Sequence, residues 1–264
     1  MRRITLGPMA AAVSDNGGFG QIATSTLTAL QIREEIEKAR ALTDKPFRIN
    51  IPLHRPNALE TLEIAIEMNV PVITTSGGNP NKIMSRAKAA GLIVLHKVST
   101  TAMGLKAQEA GVDGVIAMGF EAGGGISDFR GFLAALALGA EGIEVGTRFL
   151  ATPECSIPSY YKEAVLEAPD TGTLLVGGEV MPLRVLNNRA AEALRQQGSE
   201  SIAQLKVFDY SDGQGNRENT LMPAGQGAGL IDTLKPINEI ITELMDQAFK
   251  RSRELYNCFK ERVE

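Results

Sequence analysis

Short apolar runs alternate with longer amphipathic ones through the first 150 residues of this 264-residue chain. RRITLGP, GGFGQIA, FRINIPL, VPVITTS, IVLHKV, GVIAMGF and EGIEVGTRF are rich in valine and isoleucine and end in small or turn-forming residues, a pattern that predicts strands. Between them, LTALQIREEIEKARAL, ALETLEIAIEMN, NKIMSRAKAAG, TAMGLKAQEAG and FRGFLAALALGA repeat apolar positions at helical spacing. The rhythm is βα repeated. Near-continuous apolar strands covered on both faces imply a parallel sheet, either a doubly wound open sheet or a closed (β/α)8 barrel, and the steady strand spacing favours the barrel. Two places break the regularity. The first two predicted strands are too close for a crossover helix around PMAAAV, and EAGGGIS joins a strand end directly to a helix start.

After residue 150 the period changes. PSYYKEAVLEA and PLRVLNNRAAEALRQQG predict helices, and VFDYSDGQGNRENT predicts a loop. PAGQGAGL then leads into a long amphipathic helix with Ile231, Leu234, Ile237, Ile241, Leu244, Met245 and Phe249 on one face. The division expected is a barrel over 1–150 and a helical cap over 151–264, with a separately folding second domain as the alternative.

Composition narrows the function classes. A net charge of −4 with scattered lysines and arginines carries no footprint for nucleic acid. No apolar run is long enough to span a bilayer. Two cysteines far apart, Cys155 and Cys258, form neither a disulfide framework nor a metal pattern, which fits a reducing cytoplasm. Clustered metal ligands and a G-x-S-x-G elbow are both absent from the sequence.

The chemistry that remains lies at the predicted strand ends. Barrel enzymes bind ligands there, with phosphate commonly on the loops after the last two strands. GGISD (124–128) and VGTR (145–148) match that place: Gly124, Gly125, Gly146 and Thr147 offer backbone donors to an anion, and Ser127 or Asp128 can cap the helix that follows. The competing reading is that such glycines only make tight turns. Asn50, Thr75, Ser76, Lys97, Ser99 and Glu121 also fall at strand ends, where polar groups can bond the edge of a planar heterocycle and Lys97 can offset negative charge. His96 and Lys97 are neighbours on a strand and point to opposite faces; Lys97 is expected inside, with His96 packed and hydrogen-bonded and His54 exposed in its loop.

The segments PFRINIPLHRPNA, VITTSGGNP, VLHKVST, LKAQEAGVDGVIAMGFEAGG, GGISD, ALALGAEGIEVGTRFLATPEC and AGQGAGLID resemble the nitronate monooxygenase (2-nitropropane dioxygenase) family over nearly the whole chain. Related flavin enzymes include NADH:quinone reductases and flavin-type enoyl-acyl-carrier-protein reductases. The resemblance implies an FMN-dependent TIM barrel that oxidises alkyl nitronates with O2 to a carbonyl compound and nitrite. The alternatives are an NAD(P)H-dependent flavin reductase and a binding-only relative. It also implies that Pro8, Met9 and Ala10 border the flavin ring with Asn50 and the backbone near Pro52, and that Lys97 faces its polar edge. Gly124, Gly125, Gly146 and Thr147 would hold the phosphate, and Gln226 would approach from the cap. A homodimer is compatible with it. The departure is at EAGGGIS, where the histidine that serves the family as catalytic base, a helix and a strand do not occur. Either the chain lacks one βα unit, leaving costly strand edges, or residues are missing from the sequence as written; a Cα–Cα gap wider than about 3.8 Å at 124–125 or 10–11 would indicate the second.

Overall fold

The structure is a computed structural model that describes residues 1, 4–119, 125–177, 182–197 and 215–260. Five parallel strands, β1 (Gln21–Ala23), β2 (Arg48–Pro52), β3 (Val72–Ser76), β4 (Ile93–Val98) and β5 (Gly114–Ala117), form one sheet in sequential order. Helices α2 (Ala29–Leu42), α3 (Ala58–Glu67), α4 (Asn81–Ala89) and α5 (Thr101–Glu109) make the crossovers. Each is a right length for a βα repeat, and α2 starts where Thr28 and Gln31 form a reciprocal capping box.

Strand register divides the sheet into two faces. Ile49 pairs with Ile22 and Ile73, and Val94 with Ile73; these residues are buried against Ile32, Ile36, Leu62 and Ile83 of the helices. Each such side chain contributes about 1.5–3 kcal/mol by leaving water. The opposite phase, Gln21, Arg48, Asn50, Pro52, Thr74, Ser76 and Lys97, is the inner face. Polar groups collect there because the apolar positions are used on the helix side.

Three sequence expectations are corrected here. Residues 4–8 of RRITLGP form no strand, and PMAAAV is helical: α1 (Gly7–Asp15) begins at Gly7 and runs through it, unbroken across residues 10–11. Pro8 suits the first helical turn, where its missing N–H costs nothing, and the alanines that follow favour helix. The Gly7 amide, which α1 leaves without a helical acceptor, donates to Glu35 Oε2 of α2 at 2.7 Å. Second, residues 142–146 of EGIEVGTRF form no strand; they lead into a 3-10 turn at Thr147–Leu150. Third, PLRVLNNRAAEALRQQG is not one helix. Leu183–Leu186 is a strand, β7, antiparallel to β6 (Thr173–Val176), and α8 begins at Arg189 because Asn188 caps it, its Oδ1 accepting from the Ala191 amide at 2.8 Å.

The rest of the chain is α6 (Phe129–Ala137), α7 (Ser159–Leu166), a second 3-10 turn at Gln226–Leu230 and α9 (Ile237–Lys260). A second core joins Ile4 and Met9 to Leu150, Tyr161, Met222, Ile231 and Ile237, so the N-terminal segment and the C-terminal region share packing. The predicted apolar face is only partly used: Ile231 and Ile237 are buried, whereas Leu234, Met245 and Phe249 are exposed, and α9 also buries Ile240 and Ala248.

Candidate active site

Three turns converge on one another, two of them the glycine turns that the sequence assigned to an anion. The first is Gly125–Asp128, which enters α6. Gly125 adopts φ 68°, a left-handed conformation that costs glycine nothing, and Asp128 caps the helix by accepting from the amides of Arg130 and Gly131. The second is Gly146–Thr147. The third is Gly225–Gly227, and it touches both: the Gly225 amide donates to Thr147 Oγ1 at 2.9 Å, and a Cβ on Gly227 would lie 2.1 Å from Ser127 Oγ. A side chain at 227 would force Ser127 to move. Among the described residues the amides of Ile126, Ser127, Gly146 and Thr147 have no acceptor, so they are donors without a partner in a glycine-lined place. Glu121 and Gly124 lie outside the described residues, as does the spacing across 124–125.

The inner face of the sheet supplies the second half. Asn50 Nδ2 donates to the Thr74 carbonyl at 3.1 Å, and Thr24 Oγ1 donates to the Asn50 carbonyl at 2.5 Å. Lys97 Nζ forms an ion pair with Glu144 Oε1 at 2.6 Å. Glu144 also accepts from Gln21 Nε2 at 3.4 Å and lies 3.9 Å from Arg48, whose guanidinium stacks over Phe19 at 5.3 Å. Thus residue 144 reaches across the inner face from the first residues of β1 and β2 to β4. Burial pushes its carboxyl up, but Lys97 and Arg48 outweigh that and hold it below the usual carboxylate range. With two cations and one carboxylate the cluster carries a net positive charge. Gln21 Oε1, Arg48 Nε and Thr74 Oγ1 are buried on this face without a hydrogen-bond partner, although polar groups at such positions are ordinarily satisfied.

These observations test whether a flavin fits. Orphan amides at the glycine turns suit a phosphate, and orphan polar atoms beside Asn50, Pro52, Ser76 and Lys97 suit a polar ring edge. Of the residues expected to border the ring, Met9 and Ala10 are buried in the two cores, and Pro8 is exposed at the start of α1. Gln226 opens the 3-10 turn that follows Gly225. Neither histidine lies on the inner face. His96 is buried on the helix side with Nδ1 2.7 Å from Thr75 Oγ1, and His54 is exposed beside Gly77 at the turn after β2. Among the described residues there is no metal-binding cluster and no helix long and apolar enough to cross a membrane.

Sequence reasoning did not single out Glu144 or Arg48. The signal was there in EGIEVGTR, an apolar run interrupted by a carboxylate two residues before Gly146. The same even spacing marks Arg48 two residues before Asn50.

Comparison with known proteins bears on this arrangement. A family model described as nitronate monooxygenase matches residues 1–125 and 122–247, two stretches that meet at the glycine junction. The structure of FabK from Thermotoga maritima is 32% identical with a TM-score of 0.91, covering 97% of this chain and 93% of that one. The sheet therefore belongs to a (β/α)8 TIM-barrel type fold, of which the described residues supply five parallel strands. A (3aS,4S,5R,7aS)-5-hydroxy-7a-methyl-1-oxo-octahydro-1H-indene-4-carboxyl-CoA dehydrogenase of Rhodococcus jostii (strain RHA1) is 27% identical over 92% of this chain and 89% of its own length. A probable nitronate monooxygenase of Staphylococcus haemolyticus (strain JCSC1435) is 26% identical over 92% and 90%. The alignment to the Rhodococcus protein runs over 315 positions, more than the 264 residues available, so that relative carries segments this chain lacks.

Proposed function

Because this chain belongs to the nitronate monooxygenase family and is an oxidoreductase, we propose that it binds FMN and oxidises small alkyl nitronates with O2. When bound, FMN supplies the electron-accepting chemistry. Gly125, Gly146 and Thr147 would hold its phosphate through backbone amides, together with Gly124. Asn50, Lys97 and the backbone near Pro52 would border the ring, and Gln226 would approach over it.

The observation that carries the choice of substrate is the charge of the inner face combined with the position of the histidines. Lys97 and Arg48 outnumber Glu144 there, while His96 lies on the other side of β4. A nitronate is an anion that has already lost its carbon-bound proton, so its oxidation needs no base; a neutral nitroalkane needs one. Lys97 would then attract the anion and offset the negative charge that forms on the ring when it takes up electrons.

The likeness to FabK and to the Rhodococcus dehydrogenase supports a second reading, a flavin reductase that takes hydride from NADH or NADPH. Anaerobic mixing separates the two. The FMN-loaded protein is expected to lose its flavin absorbance with an alkyl nitronate, and to keep it with the corresponding neutral nitroalkane. Bleaching by NAD(P)H but not by nitronate would overturn the first reading in favour of the second. Failure to take up FMN at all would leave the binding-only relative.

A further inference from the structure

Glu144 occupies a place that hydrogen bonding alone would give to an amide. Its carboxylate pairs with Lys97 Nζ at 2.6 Å, accepts from Gln21 Nε2 at 3.4 Å and stands 3.9 Å from Arg48 Nη2. A glutamine at 144 could accept from Lys97 equally well and donate to Gln21 Oε1, which is buried without a partner. What only the carboxylate adds is a negative charge. The side chains of Arg48, Lys97 and Glu144 are 10%, 17% and 28% exposed, so water and salt screen them less than they screen charges at the surface. Burial raises the Glu144 carboxyl, but Lys97, Arg48 and, more weakly, the Met1 ammonium outweigh it and hold the group below the usual range, so that it is charged throughout neutral pH.

On the reading that Lys97 borders the ring and meets the substrate, we propose that Glu144 is a specificity-determining residue: its charge offsets one of the two cations, so that the inner face favours singly charged anions and holds doubly charged ones back. Lys97, Arg48 and Glu144 together leave one positive charge, which a single alkyl nitronate neutralises. A second negative charge on the ligand, such as a carboxylate further along the alkyl chain, meets no uncompensated cation among the three. The electrostatic energy of a ligand is its charge multiplied by the potential of the site. Removing the carboxylate therefore changes the binding of a dianion by the square of the factor for a monoanion, and leaves a neutral ligand where it was. A purely structural role for Glu144 would move all three alike.

Glu144→Gln tests this with and without the cofactor. In the FMN-loaded protein, nitrate and oxalate serve as inert planar anions of one and two charges, and their binding is read from the perturbation of flavin absorbance. The variant is expected to bind nitrate about tenfold and oxalate about a hundredfold more tightly than the parent. In the FMN-free protein, Lys97 is acetylated with a neutral succinimidyl ester and with its sulfonated, singly charged counterpart, and the modified peptide is quantified by mass spectrometry. The ratio of sulfonated to neutral rates at Lys97 is expected to rise at least about threefold in the variant, and to stay unchanged at Lys88, which pairs with Asp113. Should the glutamine variant fail to fold, Glu144→Asp, whose charge is drawn back from Lys97 by one methylene, is expected to tighten nitrate about threefold and oxalate about tenfold. Equal factors for nitrate and oxalate, or an unchanged reagent ratio at Lys97, overturn the proposal. A raised reagent ratio in a protein that takes up no FMN supports the charge offset by Glu144 and overturns the cofactor reading alone.

Discussion

His96 is buried against Thr75 on the face of β4 turned towards the helices, and burial pushes its imidazole pKa down. The neutral form is thereby favoured in the folded protein. In the unfolded chain the group titrates near its ordinary value of about 6.5, so the unfolded state binds more protons between that value and the lower folded one. The stability His96 contributes is complete above about pH 6.5 and is lost as pH falls towards the folded pKa. Urea unfolding of the parent is expected to show a fall in stability between about pH 7 and 5 that His96→Asn lacks, the asparagine keeping a group able to bond Thr75 without titrating. Equal slopes for the two proteins would refute it. The contrast between His96 and Lys97 was legible in the sequence, because side chains on a strand alternate and only one of two neighbours can face inwards. The partner of Lys97 was not legible. Glu144 is distant in sequence and comes from a segment that reads as a strand but forms none, so only the folded chain brings the two within 2.6 Å.

At the scale of elements, what could be read were the parts whose period is uniform. The four βα repeats and the fifth strand from Gln21 to Ala117 keep one pattern each, and the helix after GGISD begins where Asp128 can cap it. Segments that change period within a few residues were misread. In PLRVLNNRAAEAL the switch from alternation to helical spacing takes place at Asn188, whose cap marks the boundary only once the preceding residues pair with β6. The convergence of the three glycine turns is likewise a tertiary fact, and it makes a prediction about one atom. Gly227→Ala would put a methyl 2.1 Å from Ser127 Oγ and 3.1 Å from Ser127 Cβ, and Ser127 is itself buried. Overpacking of this kind costs about 1–3 kcal/mol. The variant is expected to melt several degrees lower and to bind FMN at least about tenfold more weakly, the turns having been forced apart. Gly104→Ala in α5, where the added carbon meets nothing within 4 Å, is the control and is expected to stabilise by up to about 1 kcal/mol. Titration of FMN fluorescence on both variants decides it: equal affinity would mean that the turns hold no phosphate.

At the scale of the molecule the barrel is uneven. β2 and β3 each pair on both sides and lie over the buried helix-side core, while β5 pairs with β4 alone among the described strands. Burial is correspondingly poor at β5 and along the chain that follows it: Val115 is half exposed, Leu105 of α5 and Leu138 are exposed, and α6 buries none of its residues. This is the side on which a further βα unit would follow β5, and the two family-model matches meet in the sequence just after it. Local opening costs least where few apolar contacts must be broken. Amide hydrogen exchange is therefore expected to rank the strands, with β2 and β3 exchanging only through global unfolding and β5 opening at a much lower free energy, about half the global value or less. Inserting a strand and helix from a longer relative between Gly124 and Gly125 is expected to raise the protection of β5 towards that of β3 by pairing its free edge. If β5 in the parent already exchanges as slowly as β3, some other packing covers that edge and the barrel is not open there.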